Sequence, residues 1–454
     1  MILILSLLIS FLCYLLDFNL ATAISIGLLT LLFFRLLLKS REVFAFREFA
    51  LFLYAINYLL SPLITYSIDE SLVSYPMKIG FDDYFLLSIP GFILFGIGMY
   101  SIPTKCFNLR FNEIKQLSYI NERFLISATL IGLMFKLVSI WISGELAFII
   151  YLLSLIRFVG AFSLISINLR KNFIWPVLII LIELAIGFIN GAYHDAIMWV
   201  IFFGLYYVYV IKPSLIQILT GGFSAVLLLL VIQAVKYKYR EEVWRGSKQA
   251  SFETVYLVGS EQVNSDKLIG QENLLSTLNR GNQAWILAST VDNMDQKQNF
   301  QGLTIVSRYF EAAILPRFLA PNKIKSGDQE IFNEFSGHHV NESTAMGLGV
   351  FADGYIAYGT WGVYMFGFVL GLLFALTFKL VERWTKVSPF YVLLLLPLLN
   401  YAVRPDCELQ TTINHLFKGI LLYGFLVYLT RKRFTLDSQE NQRKLAHLNL
   451  VSRK

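Results

Sequence analysis

Charge is what this sequence has least of. Asp, Glu, Lys and Arg make up 15% of the 454 residues, against about 25% in soluble globular chains. Apolar residues fill the gap at 56%. That balance excludes a water-soluble globular protein and leaves an all-α polytopic membrane protein. Cysteine is nearly missing. Cys13, Cys106 and Cys407 stand far apart, so neither a disulfide framework nor a cysteine zinc site is implied. No lysine or arginine precedes the first apolar run, MILILSLLIS, and no small-residue cleavage site follows it. The run therefore reads as a first span rather than a cleaved signal. The formal net charge of +7 is concentrated in short loops, where it sets membrane orientation, and does not point to nucleic acid. Nucleotide-sugar motifs are absent, and no cofactor or metal is implied.

What is there is a series of apolar runs. A helix needs about 20 mostly apolar residues to cross a bilayer. About twelve segments qualify, near residues 1–16, 20–38, 50–66, 84–101, 124–142, 146–167, 173–190, 196–211, 214–232, 361–379, 388–403 and 415–430. Basic residues collect in alternate loops: Lys39, Arg41 and Arg47; Lys105, Arg110, Lys115 and Arg123; Arg170 and Lys171; Lys212; Lys379, Arg383 and Lys386; and the tail from Arg431. The other short loops hold only Lys78 and Arg404. The positive-inside rule then places both termini in the cytoplasm and the long polar stretch outside. The expected organisation is a bundle of about nine spans over 1–232, one large external loop over 233–360, about three spans over 361–430 and a cytoplasmic tail over 431–454.

Three charges fall well inside expected spans, Lys136, Arg157 and Glu183, while Arg35 and Lys418 sit near span ends and can snorkel to the interface. Each of the three costs roughly 2.5–3.5 kcal/mol at mid-helix, so each needs a partner or water. An interhelical pair of Arg157 with Glu183 is one reading, and a substrate or proton path is the other. The first outer loop is acidic, with Asp69, Glu70, Asp82 and Asp83, which suits a solvated loop or a catalytic carboxylate. His194 beside Asp195 reads as an oriented base or as the start of a helix.

Chemistry is expected in the long loop. Near its start, KYKYREEVWRG alternates cations and aromatics, including Arg240, Trp244 and Arg245, and suits membrane anchoring or the rim of a site for an anionic lipid. Leu274 to Thr290 reads as an amphipathic helix broken near Gly281, bearing Arg280 and Trp285. Asp292 and Asp295 form a weak D-x-x-D. In Leu303 to Leu315, Leu303, Val306, Phe310, Ala313 and Ile314 share one helical face and Arg308 another, with Pro316 ending the helix. This helix is expected on the membrane surface or over the bundle. ILPRFLAPNK holds Arg317 and Lys323 in a stiff turn suited to phosphate. FSGHHVNES brings His338, His339, Asn341 and Glu342 together. The two histidines point apart in any regular structure, so at most one acts on a given substrate. Glycines at 347, 349, 354, 359 and 362, with Asp353 among them, let a helix re-enter and turn at the membrane face, or let backbones pack closely.

The order PRFLAPNK, a His/Asn/Ser segment, then GVFADGYIAYGTWGVYMFGFVLG resembles the loop-to-span signature of bacterial O-antigen polymerases of the Wzy type and related oligosaccharide repeat-unit polymerases. Asp353, Tyr355, Gly359 and Gly362 carry the motif. The motif covers about 310–375, and the span count and late external loop extend the likeness to the whole architecture. Two departures are an aspartate at 353, where many relatives have glutamate, and His194, where a basic residue is expected. The resemblance implies a GT-C-like glycosyltransferase bundle in the bacterial inner membrane. It would move a growing glycan from undecaprenyl diphosphate onto the next lipid-linked unit, alongside a flippase and a chain-length regulator. On that reading His338 or His339 is the base, with Glu342 or Asp353 second. Arg280, Arg308 and Arg317 meet the diphosphate, with Lys323, Arg240, Arg245 and Arg404 in support. Trp244, Trp285, Tyr355 and Trp361 stack on sugar. The competing readings are an O-antigen ligase, a polyprenyl-phosphate-sugar transferase, and a flippase or other transporter of lipid-linked oligosaccharide.

Overall fold

In the computed structural model the described residues are 2–16, 18–142, 144–190, 194–240, 242–243, 252–263, 274–275, 277–278, 281–316, 319–325, 327, 329–340 and 346–435. Among them the regular structure is helical throughout, with no strand. Eight helices are long and apolar enough to cross a membrane: Leu20–Lys39, Phe46–Tyr66, Phe81–Tyr100, Leu146–Ile167, His194–Ile211, Leu215–Lys236, Val350–Val387 and Leu409–Thr430. The chain is a polytopic membrane protein. The other four expected segments are also helical but shorter: Ile2–Leu15, Glu122–Val138, Ile174–Asn190 and Pro389–Leu399.

Two compact units divide the described chain, one of residues 1–94, 180–301 and 327–367, the other of residues 95–179, 302–326 and 368–454. The expected external loop is thus shared out, with 302–326 in the second unit.

In the first unit, proline chemistry sets the helix packing. Pro62 has no N–H to give the Tyr58 carbonyl, and a π-helical turn at Ile56–Leu60 precedes it. The Tyr84 hydroxyl donates to that carbonyl instead, at 3.0 Å. Pro90 withholds the same bond from Leu86, and Tyr364 supplies it from a third helix at 2.7 Å. With no water available inside a membrane, such substitutes tie the helices at fixed registers. Small residues do the rest. Ser6 donates to the Gly27 carbonyl at 2.6 Å, and a Cβ on Gly367 would lie 2.5 Å from the Gly91 carbonyl oxygen.

The 38-residue helix Val350–Val387 is two helices joined at a sharp reversal. Tyr358 has φ −140° and Gly359 φ +61°, a conformation that favours glycine. The halves fold back on each other, because a Cβ on Gly362 would fall 1.8 Å from the Gly354 carbonyl oxygen and Phe351 reaches Gly367. The chain thus turns at one of these glycines and packs its backbone closely at two others. Val350–Ala357 forms a buried half-helix.

In the second unit, Glu122–Val138 packs on Ile156–Ile167 through Gly132 and Gly160, where added Cβ atoms would strike Arg157 and Thr129. Lys136, expected well inside a span, lies in the last turn of its helix, where a cation meets the helix dipole favourably. Arg157 is fully buried. It donates to the carbonyl and hydroxyl of Ser154 and lies 4.4 Å over the Phe158 ring. Glu183 is buried in the first unit.

Candidate functional site

The site sits in the first unit, where two irregular segments sink among the helices. Gly281 gives its carbonyl to Ser61 at 2.9 Å, and Asn282 donates to Thr65 at 2.9 Å. Ser61 lies about 8 Å below the helix end at Tyr66, taking about 1.5 Å per residue. Gln283 then donates to the carbonyls of Gly347 and Leu348, both at 3.2 Å, which joins the two segments. Non-helical backbone is tolerated at such depth only when protein satisfies it. From this floor Ala284–Lys297 rises, started by the Asn282 side chain accepting from the Ala284 N–H at 3.0 Å. The half-helix carrying Asp353 begins beside it, with Phe351 against Tyr58 at 4.5 Å between centroids.

His338 is held above this floor. It follows Gly337, whose φ of +69° ends Gln329–Ser336. That helix is tied to Ala284–Lys297 by Asn293, which donates to the carbonyls of Glu334 and Phe335 at 2.9 and 2.8 Å, and by Lys297. His338 Nε2 lies 3.0 Å from the Ser289 hydroxyl, and its ring meets Trp285 edge-on at 5.3 Å. Trp285 is itself stacked on Tyr75 of the first connecting loop, 4.3 Å apart and 18° from parallel. Burial, and then the charge of Lys78, push the His338 pKa below the usual imidazole value of 6.5. The ring is therefore neutral at neutral pH. When Nε2–H donates to Ser289, Nδ1 keeps its lone pair and serves as a base. Behind the histidine, Tyr355 donates to Asp295 at 2.5 Å and packs edge-on against Phe300.

Of the residues expected to act, His338, Trp285, Asp353 and Tyr355 belong to this unit. His339 is exposed where His338 is half-buried. Asp353 is wholly buried in the first turn of its half-helix. Trp285 is buried under Tyr75, so the open aromatic face belongs to Tyr75. Trp361 is 73% exposed just past the reversal, with Tyr364 as its ring neighbour at 5.7 Å.

The cations divide differently. Arg308 is exposed on Gly302–Ile314 and Lys323 donates to the Leu315 carbonyl, both in the second unit. Arg404, also there, pairs with Asp406 at 3.3 Å and lies over Tyr401. Arg280, Arg317, Arg245, Trp244 and Glu342 lie outside the described residues, as does the side chain of Arg240 at the end of its helix. Asp292 accepts from Gln296, and Asp295 accepts from Tyr355. Asp69 caps a short turn through Ser71, which holds its carboxyl below the ordinary range.

Gly302–Ile314 forms as its periodicity predicts. Ile305, Tyr309, Ala312 and Ala313 pack inward, while Leu303, Phe310 and Ile314 stay exposed. The inward stripe sets two alanines beside Ile305 and Tyr309. The exposed stripe is apolar throughout and suits a lipid environment.

Tyr75, Lys78 and Ser289 escaped sequence reasoning. The available signal was charge, since Lys78 and Arg404 are the two cations in loops that the orientation rule leaves nearly free of them. A cation kept against that bias is a candidate for function.

A family model described as "Domain of unknown function (DUF8712)" matches residues 92–386, about two-thirds of the chain. The matched stretch contains Ala284–Lys297, His338 and the helical reversal, and ends before the C-terminal helices. Comparison with curated proteins gives no match, and neither does comparison with solved structures. The chain belongs to the DUF8712 family.

Proposed function

We propose that this chain is a glycosyltransferase that polymerises undecaprenyl-diphosphate-linked oligosaccharide repeat units into a surface polysaccharide, in the manner of O-antigen polymerases. The observation that carries the reading is His338. It is a neutral imidazole oriented by Ser289 beside the Tyr75–Trp285 stack, over loop segments sunk into a polytopic bundle. The bundle is then GT-C-like, with the four shorter helices completing about twelve spans. It lies in the bacterial cytoplasmic membrane with both termini inside and this site outside.

Acceptor sugar stacks on the open face of Tyr75. His338 Nδ1 takes the proton of the acceptor hydroxyl as its oxygen attacks the anomeric carbon of the growing glycan. The bond from that carbon to the diphosphate breaks, and undecaprenyl diphosphate leaves with the electron pair. Lys78 offsets the developing negative charge, together with Arg280, which directly precedes the anchored Gly281 in the chain. Asp353 is a positioning residue within the half-helix. A flippase supplies the lipid-linked units and a chain-length regulator limits growth.

Deletion in the native host tests the reading, by gel separation of surface glycan and lipid-linked intermediates. The expected result is core bearing a single repeat unit, with long chains gone. Long chains left on the lipid carrier would make the protein a ligase. Units trapped on the cytoplasmic face would make it a flippase. Within the site, Tyr75→Ala should weaken acceptor use about two- to tenfold, the weight of one aromatic contact, while Tyr75→Phe keeps it. Dependence of rate on acceptor concentration reads this directly, and an unchanged dependence would remove Tyr75 from the sugar site.

A further inference from the structure

The second unit holds an open cavity of about 270 Å³ between the linker after Phe81–Tyr100 and the C-terminal end of Val350–Val387. Lys105, Asn108, Arg110 and Lys386 line it, together with the apolar Leu109 and Val392. The acid in its wall, Glu382, is already engaged. It accepts the Lys105 backbone N–H at 3.1 Å and the Lys379 ammonium at 3.3 Å. Arg110 pairs with Glu113 at 3.2 Å and donates to the Thr385 carbonyl at 3.0 Å. The exposed ammonium groups of Lys105 and Lys386 have no acid partner among the described residues. Two positive charges are thus left over at the mouth of a preformed hollow.

The hollow is also stiff. Lys379 holds the Pro103 carbonyl at 3.3 Å, and Phe107 packs on Phe378 at 4.8 Å. With the bonds to Glu382 and Thr385, these fix the linker on the helix before any ligand arrives. Binding there would order little chain.

We propose that this cavity binds a phosphate anion, carried by the head group of an anionic phospholipid. The charge asks for a phosphate, and Asn108 adds a neutral donor. The position argues for a lipid source. The cavity sits at the ends of two membrane-crossing helices, in loops whose basic excess marks the leaflet where anionic lipids attract cations. Leu109 and Val392 give the acyl side an apolar wall. This site is independent of the polymerase reading.

The test uses the purified full-length protein. Native mass spectrometry would compare retention of phosphatidylglycerol with phosphatidylcholine, with inorganic phosphate as competitor. Lys105→Gln/Lys386→Gln, a surface change that spares the packing, should weaken phosphatidylglycerol retention about thirtyfold, the effect of two lysines at an anionic surface. Lys115→Gln, an exposed lysine outside the cavity, should change nothing. Retention of the lipid against millimolar phosphate supports the lipid source. Displacement by phosphate at that concentration overturns the lipid assignment and leaves a soluble phosphate site. Wild-type retention by the double variant, or an equal loss in Lys115→Gln, overturns the site altogether.

Discussion

His338→Ala will stop chain growth while leaving folded protein in the membrane. Removal of a positioned base costs about 10²–10⁴-fold in rate, enough to reduce a ladder of long chains to single units. The ring is only half-buried and its loss opens no core, so the protein level should hold. His339→Ala, one residue away on the exposed side, should grow chains normally. The pH dependence gives a sharper signature. Burial and Lys78 both lower the His338 pKa, so its neutral form persists as pH falls past the ordinary value of 6.5. Polymerisation should therefore hold through that range and decline only at lower pH. Lys78→Gln removes one of the two causes and should move the decline toward higher pH. A normal ladder from His338→Ala in a deletion host would end the case for this base.

Gly362→Val should prevent the first unit from folding. At this position a Cβ would overlap the Gly354 carbonyl oxygen, 1.8 Å away, and that neighbour is backbone that cannot swing aside. Overpacking of a core costs about 1–3 kcal/mol when side chains absorb it, and more when they cannot. The halves of the reversal must separate, which pulls Phe351 from Tyr58 and exposes Asp353. Fluorescence-detected size exclusion should show little monodisperse protein. Gly204→Val is the matched control, since nothing lies within 4 Å of its added Cβ. Equal recovery of both variants would mean that the glycine crossing is not needed for the fold.

These two residues also mark how far the sequence could be read. Helix positions were legible because lipid demands long apolar runs, and every expected span falls on a helix. Span length was less legible. Hydropathy continues past the end of Glu122–Val138, so Lys136 looked central when it is terminal. The turn at Gly359 was legible because few other residues adopt its φ. Its partner contact was not, since nothing local says that Gly354 and Gly362 will touch. At the site, His338 was found by residue type. Tyr75 and Lys78 reach it from a loop more than two hundred residues earlier, and only the tertiary fold brings them there. Arg308 stands on the polar side of its helix as periodicity indicates, but periodicity does not report which unit that helix joins. In Gly302–Ile314 the helix was legible from its period, but which apolar side chains pack against protein was not, because bulk hydrophobicity selects lipid as readily as protein.

The half-helix Val350–Ala357 bears on how the chain is built. Eight residues rise only about 12 Å, less than half the hydrocarbon thickness of about 30 Å, so the translocon cannot insert this piece as a span of its own. Its Ile356 carbonyl is met by the Gln301 N–H at 2.9 Å, and its base rests on Tyr58 and Gly91. Those partners are synthesised first, and the early helices must wait with a vacant groove until the ribosome has passed residue 367. Until then, the groove is where a membrane chaperone or a misplaced lipid chain would compete for the nascent protein.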